Sequence, residues 1–352
     1  MASATIRIPR RLLLGSALAA PALLPRRARA AGEVIVRTPG GTYDDVMRRV
    51  VYDPFTRETG IQVRPVAATS AKLLAMFRAG NVELDLIDTG DHQLMRLEKM
   101  GALAPIAYDR WTRSKPGDIN PEIKFPYRVG NFVYASVLGY STEHFGANPP
   151  ASWKDFWDAG RFPGPRMLTD MAAGSASLEF ALLADGVPRD KLYPIDVDRA
   201  LRVMDRIRPQ IRRFWDSGAM SGQMLSDKEV VAGSIWNGRL QVMIDRGAKL
   251  GYTWNEHMIQ VQALGVFKDA RNVEGAQKLI DFMMQPAVQA EYVKPLIYGP
   301  TNLQAFPLLT EEERARMPGG ENSQRTGFYQ NIEWWEDNRD RVNRLWSRWV
   351  QR

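Results

Sequence analysis

The sequence predicts an α/β fold in which helices flank a parallel sheet. Two observations predict it. Strand-like and helix-like segments alternate from residue 33 onward, with glycines or polar caps between them. About 320 of the 352 residues follow the first 30, which is enough chain for two domains of ordinary size.

The first half of this fold is predicted from three strand–helix pairs. Each strand is a short apolar run, and each helix has apolar residues at helical spacing and ends near a glycine. The predicted strands are EVIVRT (33–38), IQVRPVAA (61–68) and VELDLIDTG (82–90). The predicted helices, in the same order, are 42–60, 70–80 with Ser70 as the N-cap, and 92–101.

Later segments continue the pattern. Strand-like runs are followed by a helix at 273–286, and the C-terminal segment 328–352 predicts one long helix. An apolar stripe on that helix covers a domain; a strip that stacks nucleic-acid bases is the alternative. The strand-like runs are RMLTDM (166–171), GSIWNG (233–238), LQVMID (240–245) and IQVQALGVF (259–267), and the stripe is Trp335, Val342, Leu345, Trp346 and Trp349.

The N-terminal segment 1–31 predicts an export signal. It contains six arginines, no lysine and no acidic residue, and an apolar run from Leu12 to Leu24 that is too short to span a bilayer. The Ala28-Arg29-Ala30 end predicts cleavage after Ala30, and Arg10-Arg11 resembles a bacterial twin-arginine signal. Without this segment the basic and acidic residues nearly balance, so the mature chain lacks the charge that nucleic-acid binding needs.

Composition and motifs argue against catalysis. The sequence has no cysteine, which excludes disulfides, thiolate metal sites and cysteine nucleophiles. The three histidines, His92, His144 and His257, do not have a metal-ligand spacing, and nucleophile-elbow, phosphate-loop and dinucleotide motifs are lacking. We therefore expect no enzyme activity, no cofactor and no metal.

In an open α/β fold, ligands bind beyond the carboxyl ends of the strands. The loops at those ends carry aromatic, amide and carboxylate groups without a nucleophile–base pair, which is recognition chemistry. The loops are 38–43, with a Gly40-Gly41 turn, 88–92, 170–175, 236–237 and 298–302.

Six segments of the chain are informative in their order and spacing: DPFTRETGIQV, KLLAMFRAGNVELDLIDTG, ASWKDFWDAGRFPGPRMLTD, GSIWNGR, NVEGAQKLIDFMMQPAVQAEYV and YGPTN. Together they resemble the spermidine/putrescine-binding family of bacterial periplasmic solute receptors. The resemblance covers nearly all of residues 33–310. It implies the two-lobe periplasmic binding protein fold of type II, with hinge-connected lobes and a ligand cleft between them. It further implies delivery of the solute to an ABC permease served by a separate ATPase.

The resemblance also suggests lobe boundaries and cleft residues. Residues 31–135 with about 262–305 are expected in lobe 1, and about 136–261 with 306–352 in lobe 2. The family's tryptophan that flanks the ligand matches Trp236, its late tyrosine corresponds to Tyr298, and its cleft aromatics fall on 91–93. The expected ligand-binding set is Gly40, Gly41, Thr42, Tyr43, Thr89, Asp91, His92, Asp170, Ser175, Trp236, Asn237, Gln260, Gln262, Tyr298 and Thr301.

Departures from the family affect the expected ligand. Two family carboxylates that pair with ammonium groups fall near Met171 and Gly174, although Asp170 survives, and another is replaced near Gln262. Asp88 and Asp91 could restore negative charge, or one of them could cap the next helix. Arginines facing the cleft would instead favour a carboxylate-bearing solute; the candidates are Arg37, Arg128 and Arg239.

The sequence therefore predicts a monomeric periplasmic receptor for a small polar solute, a polyamine-like amine or other organic cation, that feeds an ABC importer. A receptor for a carboxylate-bearing or zwitterionic solute is the alternative on the same fold. Two alternatives from other classes are a twin-arginine-exported hydrolase or cofactor enzyme and a structural or chaperone-like periplasmic protein.

Overall fold

The structure, a computed structural model, describes residues 32–68, 70–320 and 325–352. The predicted export signal at 1–30 lies outside the described residues. The α/β prediction is confirmed: within the described residues, eleven strands form one mixed sheet that is surrounded by helices. No helix in this part of the chain combines the length and the hydropathy that crossing a membrane requires.

The strands vary from two to eighteen residues. They are β1 (Glu33–Thr38), β2 (Gln62–Ala67), β3 (Leu86–Gly90), β4 (Leu103–Ala104), β5 (Val129–Ser141), β6 (Arg166–Thr169), β7 (Ile211–Trp215), β8 (Ala232–Trp236), β9 (Leu250–Phe267), β10 (Gly299–Pro300) and β11 (Phe328–Tyr329).

The α-helices are numbered in chain order, and a π-helical turn at Arg48–Tyr52 joins α1 to α2. They are α1 (Thr42–Met47), α2 (Asp53–Thr59), α3 (Ser70–Arg78), α4 (Asp91–Lys99), α5 (Thr142–Phe145), α6 (Trp153–Trp157), α7 (Leu178–Ala184), α8 (Val197–Ile207), α9 (Gly218–Ser226), α10 (Asn237–Asp245), α11 (Val273–Met283), α12 (Pro286–Leu296), α13 (Glu311–Ala315) and α14 (Ile332–Val350).

Two long strands, β5 and β9, join the two halves of the sheet. The strand order is β2-β1-β3-β9-β5-β8-β6-β7. Strands β1, β2 and β3 are parallel on one side, and β6, β7 and β8 are parallel on the other. Strands β5 and β9 are antiparallel to each other and to β8 and β3, so the predicted parallel sheet is in fact two parallel groups joined by antiparallel strands.

The hydrophobic core is divided between the two halves of the sheet, which form two lobes. Phe55, Leu264 and Phe282 belong to a cluster in the first half, which residues 309 and 317 also join. Trp153 and Phe180 belong to a cluster in the second half. Strands β5 and β9 run through both halves, as hinge-connected lobes require.

Two predicted elements have a different structure. LQVMID at 240–245, predicted among the strands, lies in α10, where Leu240, Met243 and Ile244 share one helix face and pack in a single cluster. The C-terminal helix begins at Ile332 instead of residue 328, because the Asn331 side chain accepts the backbone N–H of Trp334 and caps it.

Candidate functional site

The carboxyl ends of strands from both lobes meet at the centre of the sheet. Gly90, the last residue of β3, pairs with Gln262 of β9. Trp236, the last residue of β8, pairs with Ser136 of β5. Because residues 134–136 of β5 pair with residues 258–260 of β9, the loops after β3 and β8 approach the crossing strands from opposite sides. A solute that binds beyond these strand ends would therefore contact both lobes.

Three partly exposed aromatic rings stand together at this position. The ring of Tyr134 meets Trp236 edge to face, with centroids 5.9 Å apart, and lies 6.4 Å from Tyr298. Tyr298 stacks on Phe132 at 4.3 Å, and Trp236 is held from behind by Trp215 at 5.2 Å. We call Tyr134, Trp236 and Tyr298 the aromatic wall. Their faces suit an aliphatic chain or an ammonium group.

Asp88 lies fully buried in the first lobe, and both oxygens of its carboxylate accept hydrogen bonds from other side chains. Its two oxygens accept hydrogen bonds from Tyr43, from Asn131 at 3.1 Å and from Gln262 at 2.8 Å. Burial raises the pKa of Asp88 to about 6, and the hydrogen bonds from Tyr43, Gln262 and Asn131, together with the charge of Arg37, oppose that rise. Asp88 therefore organises the floor of the site and is not exposed to a solute.

Asp91 is committed to an ion pair. Its Oδ1 accepts a hydrogen bond from Nε of Arg128 at 2.6 Å, and both side chains are 4% exposed. Arg128 also pairs with Glu98 and lies 3.9 Å above the ring of Phe125. Asp91 is the first residue of α4 and makes no cap, since the N-cap residue is Gly90.

Both carboxylate oxygens of Asp170 also accept hydrogen bonds within the protein. One carboxylate oxygen accepts the backbone N–H of Ala172 at 2.9 Å, which caps a short helical turn, and the other accepts the indole N–H of Trp346 at 3.0 Å. The carboxylates predicted to hold a cation, Asp88, Asp91 and Asp170, thus all have partners within the protein. Their partners lie 37 or more residues away in sequence, except for the local cap.

Two other predicted residues are buried and form hydrogen bonds with groups of the first lobe. Buried Asn237 accepts the backbone N–H of Ala135 at 2.9 Å and donates to the carbonyl of Ile297 at 2.9 Å. Buried Thr301 donates to the carbonyl of Gly130 at 2.8 Å and accepts from Gln289. Both side chains fix backbone segments next to the aromatic wall.

A chain of polar side chains crosses the centre of the site. Ser136 donates to Gln260 at 2.9 Å, Gln260 donates to Gln330 at 3.3 Å, and Gln330 donates to Ser175 at 2.6 Å. Gln260 and Ser175 were predicted, whereas Ser136, Gln330 and Tyr134 were missed. Alternation along β5 places Phe132, Tyr134 and Ser136 on one face, which is the sequence signal that could have found two of them.

Two arginines keep hydrogen-bonding capacity for a solute. Arg37, at the end of β1, donates to the carbonyl oxygens of Ala68 and Asp88 at 2.7 and 2.6 Å. Arg239 is exposed in the first turn of α10, where it borders Gly218 together with the Trp236 ring. Burial raises the pKa of Tyr298, and the positive charge of Arg239 opposes that rise. Neither arginine forms an ion pair with another residue that the structure describes.

The remaining predicted residues lie around the same loops. Gly40 and Gly41 have φ angles of 84° and 66°, which glycine adopts without strain, and Thr42 is exposed beside them. Thr89 is buried. His92 is partly exposed, and its ring lies close to Gly174 of the other lobe: a Cβ atom added to Gly174 would be 3.8 Å from the ring. Within the described ranges, no group of three His, Cys, Asp or Glu side chains could hold a metal ion.

Comparisons with known proteins agree on one class. Residues 51–315 match the family described as bacterial extracellular solute-binding protein. The chain is 28% identical over 320 residues to the gamma-aminobutyric acid-binding protein of Pseudomonas aeruginosa, covering 89% of each chain. It is 26% identical over 275 residues to the spermidine/putrescine-binding periplasmic protein of Escherichia coli, covering 74% of this chain and 76% of that one.

A solved structure supports the same class. An ABC transporter substrate-binding protein from Bradyrhizobium japonicum superposes with a TM-score of 0.84 at 31% identity, covering 90% of this chain and 99% of that one. The two-lobe fold of type II periplasmic binding proteins that the sequence predicts is confirmed by this similarity.

Proposed function

The chain belongs to the bacterial extracellular solute-binding protein family, and we propose that its ligand is a small amino compound with a carboxylate group, of the γ-aminobutyrate type. As a member of that family it is the substrate-binding component of an ABC transporter. It binds a small solute outside the cytoplasm and works with a permease and an ATPase. The prediction that it is not an enzyme is confirmed by the family, and the exported-hydrolase alternative has no support.

The charge distribution around the cleft carries the proposal. Asp91 is paired with Arg128, and the carboxylates of Asp88 and Asp170 are held by hydrogen bonds inside the protein, so the ammonium groups of a polyamine would have to compete with these partners for a counter-charge. Burying an unpaired ammonium group is costly. Exposed Arg239, in contrast, has no ion pair within the described residues, and Arg37 uses two of its five N–H groups on backbone carbonyl oxygens. A guanidinium recognises a carboxylate with charge-assisted hydrogen bonds. This balance favours a solute that brings its own negative charge.

The aromatic wall supplies the second half of the recognition. A carbon chain of a few atoms extending from an arginine-bound carboxylate would run along Tyr134, Trp236 and Tyr298. Its ammonium end would be held by cation–π attraction instead of by a buried carboxylate. The relative named for gamma-aminobutyric acid is consistent with such a ligand.

Ligand binding is proposed to act through lobe closure. We place residues 31–135 and 262–305, continuing to about 317, in lobe 1, and residues 136–261 with the C-terminal helix in lobe 2. Arg37 then contacts the solute from lobe 1, and Trp236 and Arg239 contact it from lobe 2. A solute that touches both sides only when they approach shifts the population toward closure.

A polyamine is the second candidate ligand, as the family resemblance predicted. The name of the E. coli relative supports it. For it to bind here, one of the existing carboxylate partnerships would have to break. We also propose that residues 1–30 are a twin-arginine export signal, and that the mature protein is monomeric and binds no nucleic acid, since its charges nearly balance.

Replacing one arginine tests the proposal. We expect Arg239→Gln to weaken binding of 4-aminobutyrate about tenfold or more, because a hydrogen bond to a charged group contributes about 1.5–3 kcal/mol. Arg246→Gln is the matched control, since Arg246 is exposed at the end of the same helix. Equal affinities of both variants and the wild type would remove Arg239 from the site. Tighter binding of putrescine by Arg239→Gln, with no 4-aminobutyrate binding by any form, would favour the polyamine candidate.

A further inference from the structure

The C-terminal helix α14 is part of lobe 2 by its apolar face. Trp335, Val342, Trp346 and Trp349 are buried in the same cluster as Trp153. Three of its indoles donate hydrogen bonds into that lobe: Trp335 to Glu179 at 2.6 Å, Trp346 to Asp170 at 3.0 Å and Trp349 to Asp205 at 2.7 Å. The helix lies outside residues 51–315, the part of the chain that matches the family.

The opposite face of α14 contacts helix α4 of lobe 1. Arg96 pairs with Glu336 at 2.8 Å and reaches its second oxygen at 3.4 Å. Lys99 pairs with Asp337 at 2.5 Å. The apolar side of α4 packs in a different cluster, with strands β1 and β3. These ion pairs therefore join two separate hydrophobic cores.

The same contact extends to the cleft loops. Arg339 pairs with Glu336 at 3.2 Å and donates to the carbonyl of Gly174 at 2.8 Å, next to the ring of His92. His92 is the second residue of helix α4, which begins at Asp91 directly after the loop at the end of β3. Any movement that separates the lobes at this loop must pull α4 away from α14 and break the Arg96–Glu336 and Lys99–Asp337 ion pairs. The contacts of Arg339 lie within lobe 2 and hold Glu336 in position.

We propose that α4 and α14 form an electrostatic latch, defined by Arg96, Lys99, Glu336, Asp337 and Arg339, that favours the lobe arrangement seen in the structure. The latch is independent of which ligand binds. Glu336 is 12% exposed and Arg96 is 34% exposed, so their attraction is screened less than that of a fully exposed pair. The pair of Lys99 with Asp337 is more exposed and contributes less.

Salt and charge variants then change the population of open molecules. Removing the charge of Glu336 weakens its contacts with Arg96 and Arg339 at once. We expect Glu336→Gln to increase the ratio of molecules with separated lobes to molecules in the arrangement seen in the structure about three- to tenfold in the absence of ligand. Raising NaCl from about 0.05 M to about 1 M is expected to open the wild type but to have little further effect on Glu336→Gln.

The lack of native cysteines makes the measurement direct. Spin labels at Arg78→Cys in lobe 1 and Lys154→Cys in lobe 2, both exposed positions, report the distance between the lobes by pulsed electron paramagnetic resonance. The latch predicts a larger long-distance fraction for Glu336→Gln and return toward the wild-type distribution in the charge swap Arg96→Glu/Glu336→Arg.

The control breaks an ion pair of the same length inside one lobe. Arg199 pairs with Asp185 at 2.8 Å within lobe 2, so Arg199→Gln is expected to leave the distance distribution unchanged. Thermal melting of each variant verifies that it is folded, and Asp337→Asn provides a second, milder variant. Identical distance distributions for folded wild type, Glu336→Gln and Asp337→Asn at low salt would overturn the proposal.

Discussion

Trp236→Ala is expected to weaken solute binding by about 30-fold or more while the protein remains folded. The partly exposed ring is the only member of the aromatic wall that belongs to the second lobe's sheet, and it is fixed by edge-to-face contacts with Tyr134 and Trp215. Truncating a tryptophan at the centre of a binding site typically costs about 2 kcal/mol or more. Calorimetric titration with 4-aminobutyrate measures the change.

A tryptophan outside the cleft is the control for this variant. Trp157 is also partly exposed in lobe 2, where its indole donates to the carbonyl of Val203 at 3.0 Å. Trp157→Ala should lower thermal stability without changing affinity. If Trp236→Ala binds as tightly as the wild type, or if Trp157→Ala is weakened equally, the aromatic wall is not the binding surface.

Arg128→Met is expected to lower the free energy of unfolding by about 3–5 kcal/mol, because removing one partner of a buried ion pair leaves the other charge buried and uncompensated. The guanidinium holds the buried carboxylate of Asp91 and also Glu98, and methionine keeps most of the side-chain volume while removing the charge. Urea denaturation measures the loss. Arg64→Gln, which breaks a half-exposed pair with Glu33, should cost less than about 1 kcal/mol.

The pH dependence of the Arg128→Met effect follows from Asp91. Burial raises the pKa of Asp91 to about 6 although Arg128 opposes the rise, whereas an unfolded aspartate has a pKa near 3.9. Such a carboxyl contributes most stability below pH 4 and loses it as the pH rises through 6. Without Arg128 the pKa of Asp91 rises further, so the loss of unfolding free energy caused by Arg128→Met should be larger at pH 8 than at pH 5. A deficit that is equal at both values would contradict the role given to the pair.

Much of the fold could be predicted because the signals are local. Strand β1 was predicted with its observed bounds, and Gly60, in the left-handed conformation at φ 73°, ends α2 as predicted. The C-terminal segment was harder. Residues 328–330 continue into helix-favouring sequence, but Phe328 and Tyr329 pair with Met258 and Ile259 of β9. That strand forms because of a partner distant in sequence, which no local pattern contains.

The loops of the candidate site could be predicted from the sequence, but the contacts of their side chains could not. The sequence located the loops correctly at the strand ends, and Trp236 and Tyr298 do stand together, each beside Tyr134. It could not assign the roles of the carboxylates, because those depend on the distant residues Asn131, Arg128 and Trp346. The side chains that engage the predicted cation-binding carboxylates are therefore visible only in the folded chain.

The most direct test of the central claim is a calorimetric titration of the wild type with two four-carbon solutes. 4-Aminobutyrate and putrescine share the chain and one ammonium group and differ in whether the far end is a carboxylate or a second ammonium. The account predicts measurable binding of 4-aminobutyrate, or of a related amino acid with a similar chain, and at least tenfold weaker binding of putrescine. Tighter binding of putrescine would contradict it, and would mean that a buried carboxylate leaves its protein partner to meet the ligand.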